Sequence, residues 1–432
     1  MKNKDKSREL VKIGIQKHLL GVSLKEVGLI YDQYFIDLNL SIREKSFVKN
    51  LTMVSIRNRG IIEHVINKYL KRPLPNKLQE IKAILIMGVA QILFTRVEDY
   101  AAVNTSVNFF NGRLNKWKGL ANAILRRIIR EESNLKKKYD PKLNVPKWIY
   151  NIWISQYGEN ETKSILDEIF LEPYVDLKIK EDYDYWKNQI GGEETINNTL
   201  RFKKIGDVKK IKGYSEGAWW VQNIAAQIPV MLLKEIKKNE EVLDLCSAPG
   251  GKTAQLLNEG ANVTSLDISK SKTKQLYNNI KRIKLEKNLQ IVTKDLMYWD
   301  SEKKFNKIIL DAPCSATGTV RKNPDVLWNK TEEDIKRLSI LQKDLLEKAI
   351  SFLNKKGILI YCTCSLQYKE GEKVIKYIIK QNKVKLLDIK HEEVKLFPKK
   401  IINKGLIRTH PYRYNNQLNG MDGFFIARLI KI

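Results

Sequence analysis

Cysteine is scarce in this chain. Four residues in 432, Cys246, Cys314, Cys362 and Cys364, are too few to staple a fold. That excludes a disulfide-rich secreted scaffold and points to a reducing, cytoplasmic setting. Histidine is equally rare, at four residues, and His18 and His64 stand alone, as packing or surface side chains rather than ligands. Long apolar runs are missing: Ile84 to Phe94 is too short to cross a bilayer and contains Gln91. The amino-terminal MKNKDKSRELVKIG has no apolar core of the signal-peptide kind. Internal repeats and low-complexity tracts are also lacking, which excludes solenoids and compositionally biased linkers.

Acid is short relative to base. Lys and Arg number 78 against 49 Asp and Glu, a formal net charge of +29, and such an excess is the electrostatic footprint of a protein that meets a polyanion. A genome biased toward A+T raises Lys, Ile and Asn together, but it raises Glu as well, so part of the excess needs a partner. Nucleic acid is the first choice. A membrane surface is the weaker one, because no basic amphipathic segment stands apart from the folded pattern. With 43% hydrophobic residues, the chain has material for two or three globular domains.

Three segments differ in pattern. From Lys6 to about Glu132 apolar residues recur at helical spacing, as in Ile81, Ile84 and Leu85, predicting an all-helical domain over 1–135. Arg57, Arg59, Arg126, Arg127 and Arg130 give it basic edges. Lys136-Lys137-Lys138 with Pro141 and Pro146 reads as a linker. It opens a small α+β connecting region over 136–215, with a helix over Trp148 to Ile169 and an alternating strand over Val175 to Ile179. Over 216–432 strands alternate with helices, predicting a doubly wound α/β sheet. Its strands are expected to end at Asp244, Asp267, Val292 and Asp311, with a fifth over Ile358 to Tyr361 after a helix from Glu333 to Leu353, and a terminal strand over Phe424 to Leu429.

The stretch EVLDLCSAPGGKT, Glu241 to Thr253, organises the last segment. A buried strand turns through Pro249, Gly250 and Gly251 into a helix, and open sheets bind nucleotides at such strand ends. The turn lacks GxGxxG and the full phosphate loop, so a phosphate-centred site is disfavoured. Asp267 follows Gly250 at roughly the 20-residue spacing of a ribose-binding acid. A close turn at Gly250, a ribose acid at Asp267 and a polar group for adenine at Asp295 suit S-adenosylmethionine; for Asp295 a solvated loop position is an equal reading. In a sheet ordered 3-2-1-4-5 the fourth and fifth strands are neighbours. Cys314 of DAPCS and Cys364 of TCS would then share one pocket. A lone cysteine at a strand end is usually inert, whereas two between polar groups point to reactivity.

DLCSAPGGKT, DAPCSATGTVRKNPD, YCTCS and GMDGFF, in this order, resemble the RNA cytosine-5 methyltransferases. DYAAVNTSV and GLANAILRRI resemble the NusB-like helical domain carried by the RsmB (Sun/Fmu) branch, which acts on small-subunit ribosomal RNA. The resemblance implies a Rossmann-like methyltransferase domain and S-adenosylmethionine held by Cys246, Ser247, Ala248, Pro249, Gly250, Gly251, Lys252, Asp267, Asp295 and Asp311. It further implies Cys364 as nucleophile, Cys314 in product release and Asp311 at the base. The expected reaction is methylation of carbon 5 of a cytosine in 16S ribosomal RNA, naked or in an assembling particle, by a monomer without metal or membrane. Cys362 departs from the family pattern of Ser or Ala and is expected to be structural. Zinc bound by the four cysteines is disfavoured, since a CxC pair with two distant partners lacks ligand spacing. The rivals are transfer RNA as substrate, an exocyclic-amine methyltransferase, which would carry two prolines where Pro313-Cys314 stands, and a non-catalytic RNA chaperone, which has no use for the paired thiols.

Overall fold

The computed structural model describes residues 5–132, 139–412 and 420–432, so the Lys136–Lys138 run lies outside the described residues. The chain forms two compact units, Met1–Ile154 with Asn323–Asn329, and Ser155–Lys322 with Lys330–Ile432.

Among the described residues the first unit is helical. It comprises α1 (Lys6–Leu19), α2 (Leu24–Asp37), α3 (Ile42–Arg57), α4 (Arg59–Lys68), α5 (Gln79–Phe94), α6 (Asp99–Val107) and α7 (Lys118–Glu132). Ser23 and Ser41 cap α2 and α3, and Glu26 and Glu44 bond back to them, so the first free amides of both helices are satisfied. Helix α5 is apolar on every face, a pattern stable only when other helices surround it, and Ala83 to Leu93 are all buried. The apolar run around Ile84 is therefore the centre of a bundle. No helix among the described residues is long and apolar enough to cross a membrane. Gln91 is accommodated there by Arg8, whose Nε donates to its Oε1 at 2.7 Å. His18 is buried as well; burial and the neighbouring Arg59 charge hold its imidazole down at about 4. On α7, Arg127 pairs with Glu131 at 2.7 Å and Arg126 with Asn122 at 3.1 Å. The return segment Asn323–Asn329 belongs to this unit: Asp325 accepts the Leu24 amide at 2.9 Å, and Arg59 lies 4.6 Å from the Trp328 ring centre.

Helix α8 (Lys147–Ile169) contains the boundary between the units and breaks at Gly158, whose φ is 77°. The second unit then builds a small antiparallel sheet from β1 (Val175–Ile179), β2 (Glu193–Glu194), β3 (Thr199–Phe202) and β4 (Trp219–Val221), with α9 (Tyr183–Ile190) between β1 and β2. Its order is β2-β3-β1-β4. The alternation expected along Val175–Ile179 fails: every residue from Asp176 onward is buried, because β1 is flanked by β3 and β4. Asp176 survives burial because Arg201 binds both its oxygens, at 2.7 and 2.9 Å, and the Asn223 side chain and the Ile224 amide each donate at 3.1 Å.

The larger sheet follows α10 (Ile224–Met231). In chain order its elements are β5 (Glu241–Leu245), α11 (Gly251–Asn258), β6 (Asn262–Asp267), α12 (Lys270–Arg282), β7 (Leu289–Thr293), β8 (Phe305–Asp311), α13 (Glu332–Ser351), β9 (Leu353–Thr363), α14 (Glu372–Ile379), β10 (Val384–Leu386), β11 (Ile402–Asn403), β12 (Leu406–Thr409) and β13 (Phe424–Lys431). The order is β11-β12-β13-β9-β8-β5-β6-β7, with β10 also on β13. Strands β7, β6, β5, β8 and β9 are parallel, in the expected 3-2-1-4-5 arrangement. Two details differ from the sequence reading. Strand β9 begins at Leu353 and takes Gly357 inside it, so α13 stops at Ser351. Beyond β9 the sheet continues antiparallel through β13 and β12, a widening that no strand-helix alternation announces.

Removing one partner of a buried ion pair leaves the other charge without compensation. Asp176→Ala is therefore expected to lower stability by about 3 to 5 kcal/mol, measured by urea unfolding followed through tryptophan fluorescence. A loss below about 1 kcal/mol would mean that Arg201 finds other acceptors.

Candidate active site

Strand pairing delivers the chemistry. In the β8–β9 register Asp311 lies opposite Cys362, and the Ala312 amide bonds to the Cys362 carbonyl at 2.9 Å. Both chains then leave the sheet side by side, and the sulfurs of Cys314 and Cys364 come within 3.4 Å of each other. The Cys314 thiol is pushed up by its hydrogen bond to Cys364, by burial, and by the neighbouring charges of Cys364 and Glu370. Either sulfur can be the donor in this contact.

The two loops are kept close by glycine. A Cβ on Gly318 would stand 1.9 Å from the Gly423 carbonyl oxygen and 2.9 Å from that of Cys364. Instead the Gly318 amide donates to the Cys364 carbonyl, and the Gly423 amide to the Gly318 carbonyl, both at 2.9 Å. The GMDGFF stretch thus packs the third side of the thiol loops.

At the end of β8 a buried lysine pairs with a partly exposed carboxylate. Lys252 Nζ sits 2.6 Å from Asp311 Oδ2, and its ammonium lies 5.3 Å from the centre of the Phe424 ring. Burial disfavours the ammonium, but Asp311 first, with Cys362 and Asp244, together outweigh this and hold Lys252 above its ordinary value. The Cys362 thiol reaches Asp311 Oδ1 at 3.5 Å; burial first and the Asp311 charge second push it up. Cys362 is thus a buried strand residue that also packs against Asp311, a contact its sequence position did not reveal.

The β5–α11 turn is drawn against β6. Cys246 adopts φ 56°, and burial, then the charges of Asp267 and Asp311, push its thiol up. The Ser247 amide bonds to the Leu266 carbonyl at 3.1 Å, the Ala248 amide to Asp267 Oδ2 at 3.3 Å, and Asn279 donates to the Pro249 carbonyl at 3.0 Å. Gly250 has φ 99°, and a Cβ there would meet Leu276 at 2.9 Å, so only glycine fits before Gly251 opens the helix. Asp244 beneath the turn is fully enclosed, accepting from Thr253 at 2.6 Å while its Oδ1 is buried without a partner.

Whether this turn suits S-adenosylmethionine is tested by Asp267. It is 5% exposed, makes no ion pair among the described residues, and accepts only the Ala248 amide and the Ser269 amide, the latter at 3.1 Å. A nearly buried carboxylate with spare lone pairs at a strand end fits the hydroxyl donors of a ribose. Asp295 spends one oxygen on its own backbone, accepting from Met297 N at 2.9 Å. Ile268, directly after Asp267 and apolar, is nonetheless 65% exposed. Among the described residues no group of three or more His, Cys, Asp or Glu could hold a metal.

Residues 230–430 match the model of the 16S rRNA methyltransferase RsmB/F family, and residues 10–130 that of the NusB family. Ribosomal RNA small subunit methyltransferase B of Pasteurella multocida is 30% identical over 393 residues, covering 86% of this chain and 84% of the relative. The Cronobacter sakazakii protein of the same name is 28% identical over 409 residues, covering 91% and 92%. The chain belongs to the RsmB/F family of 16S rRNA methyltransferases. The fold is shared with the crystal structure of PH0851, at TM-score 0.78 and 22% identity over 100% of both chains. It is shared in part with NSun6 from Pyrococcus horikoshii solved with SFG, at TM-score 0.56 and 21% identity, covering 66% of this chain and 98% of that one. As an RsmB/F methyltransferase the chain uses S-adenosylmethionine and acts on RNA.

In this RsmB/F chain Asp244 titrates where it affects stability. Burial raises its carboxyl from 3.8 to about 7, so its contribution to stability is full below the ordinary value and is lost as pH rises through about 7. Asn mimics the neutral acid. The stability of wild type relative to Asp244→Asn is therefore expected to fall, by on the order of a few kcal/mol, between about pH 4 and pH 7 and to level off above that. Urea unfolding across that range reads it; a difference that rises with pH would show that the carboxylate form is the stabilised one.

Proposed function

We propose that this chain methylates carbon 5 of a cytosine in 16S ribosomal RNA through a transient bond between Cys364 and carbon 6 of the base. The observation that carries the reading is the pair of thiols 3.4 Å apart at neighbouring strand ends, with the Lys252–Asp311 pair at the end of β8. Carbon 5 of cytosine is a weak nucleophile, and a thiolate added at carbon 6 turns the ring into an enamine that is a good one. Cys364 forms that bond. Asp311 and Lys252 hold the N3 edge, the ammonium offsetting the negative charge the ring gains. S-adenosylmethionine supplies the methyl group, and Cys246 to Lys252, Asp267, Asp295 and Asp311 are the residues we assign to hold it. After methylation the carbon 5 proton leaves to a base, its C–H electrons restore the ring double bond, and the bond from carbon 6 to sulfur breaks. Cys314 donates its hydrogen bond to the departing Cys364 thiolate. The base must leave any stack to reach this pocket, which favours a loop or an opened helix.

Residues 1–135 are assigned to RNA binding, 136–215 to connection and 216–432 to catalysis. The match to the NusB family over residues 10–130 supports the first of these. Bisulfite sequencing of ribosomal and transfer RNA from a strain lacking the gene tests substrate and position together: an unmethylated cytosine in 16S RNA is expected, and a change confined to transfer RNA would overturn the assignment.

Asp267→Ala is expected to weaken S-adenosylmethionine binding by about 1.5 to 3 kcal/mol, roughly ten- to a hundredfold, in calorimetry on folded protein; unchanged affinity would remove Asp267 from the ribose site. The thiols are separated by trapping. Cys364→Ala is expected to abolish methylation and form no covalent adduct. Cys314→Ala is expected to attack, methylate once and accumulate a protein–RNA species that survives denaturing electrophoresis, while Cys362→Ser stays active. Reversed behaviour of Cys364→Ala and Cys314→Ala would exchange their roles.

A further inference from the structure

A carboxylate outside the residues assigned above joins the two thiol loops. Glu370 is fully buried, on the short turn between β9 and α14. Its Oε2 accepts from the hydroxyls of Ser315 and Ser365, both at 2.5 Å, and its Oε1 from the Ser315 amide at 2.8 Å and from Gln342 Nε2 at 3.2 Å. Ser315 directly follows Cys314, and Ser365 directly follows Cys364. One side chain therefore holds both loops at the residue next to each sulfur.

The surroundings tighten the same point. Gln342 on α13 also donates to the Pro313 carbonyl at 2.9 Å, fixing the loop just before Cys314. The Ser315 and Ser365 hydroxyls lie 3.1 Å apart, the Ser365 hydroxyl accepts the Gln367 amide at 3.0 Å, and Thr317 accepts the Leu366 amide at 3.0 Å. From below, the Tyr361 hydroxyl donates to the Glu370 carbonyl at 2.8 Å.

We propose that Glu370 is a positioning residue for methyl transfer: it clamps the Cys314 and Cys364 loops to one carboxylate and makes Cys364, not Cys314, the thiol that attacks. The proposal rests on the covalent reading given above. Packing alone does not call for an ionisable group here, since a buried charge is commonly matched or bettered in stability by apolar side chains of similar volume. A carboxylate does two things that an apolar residue cannot. It accepts four hydrogen bonds at once, and its charge disfavours a second anion at Cys314, whose thiol it helps to keep protonated.

Glu370→Gln in the full-length protein separates charge from shape, because the amide keeps a carbonyl acceptor and the two serine hydroxyls can turn to accept from its nitrogen. Three readouts are taken: S-adenosylmethionine affinity, kcat and KM for RNA, and the pH profile of alkylation at each cysteine, mapped by mass spectrometry without RNA. The expected result is unchanged cofactor affinity and KM, a kcat lowered by roughly a hundredfold, as for a misplaced reacting group, and a Cys314 alkylation profile moved to lower pH. Glu370→Asp, which retains the charge, is expected to restore the profile. If Glu370→Gln does not fold, Ser365→Ala is used: it removes one donor, and a lowered kcat with unchanged KM and cofactor affinity supports the clamp. Wild-type kcat and alkylation profile in a folded Glu370→Gln protein, or in its absence a wild-type kcat for Ser365→Ala, would overturn the proposal. So would a loss of kcat that merely follows a loss of cofactor affinity and thermal stability with both alkylation profiles unmoved. Failure of the covalent reading looks different: no adduct forms with Cys314→Ala, while Glu370→Gln still shifts Cys314 alkylation.

Discussion

The hydrogen-bonded register between β8 and β9 is the constraint on which the rest of the catalytic unit depends. It sets Asp311 opposite Cys362, and every later placement at the site follows from that pairing. Side chains alternate along a strand, so slipping the pairing by one residue would turn Cys362 off Asp311 and carry Cys364 away from Cys314. Parallel strands held on both faces by helices resist such a slip, because every residue of the register is also a core residue. Ile309, Leu310, Ile360 and Tyr361 are buried without exception, and a shifted register would expose or overpack all of them.

Charge is concentrated where that register ends. Lys252, Asp311, Asp244 and Asp267 crowd the carboxyl ends of β5, β6 and β8, and the pairing among them is uneven. Lys252 is committed to Asp311, Asp244 is enclosed with one oxygen unpartnered, and Asp267 is left to backbone amides. An arrangement optimised for stability alone would not bury Asp244 and Asp267 without a cation bonded to either, while the buried ammonium pairs with the more exposed Asp311. Carboxyl groups gathered at the ends of neighbouring parallel strands lie where an open α/β sheet receives its ligand. The loops bearing the thiols are held by the opposite means, by close backbone contact at Gly318 and Gly423 and by neutral hydroxyls gathered on Glu370.

Family membership was legible in the motifs, and so was the class of the fold. Strand–turn–helix at EVLDLCSAPGGKT, acids at the ends of successive strands and a helical period in the first segment are local patterns, each written within a dozen or so neighbouring residues. For the same reason the apolar run around Ile84 was identifiable as a helix, yet its place at the centre of the bundle was not, since that depends on which other helices cover it. Asp176 illustrates the converse: an aspartate in an apparently alternating strand suggests a solvated face, and donors distant in sequence, Arg201 on the neighbouring strand with Asn223 and Ile224, explain why it is buried.

What the sequence determined by itself, then, is the parts: two cysteines at the ends of neighbouring strands, a glycine turn between a strand and a helix, an acid at the end of the next strand, and a basic helical segment. What tertiary structure alone decided is the joining of parts distant along the chain. Lys252 meets Asp311, Cys362 touches that same carboxylate, Gly423 packs on Gly318, and Glu370 gathers the serine beside each thiol. Propensity, periodicity and spacing act over a few residues, whereas these contacts are fixed by strand order and register. Which side chains come within hydrogen-bond reach is a property of the packed sheet rather than of any one segment.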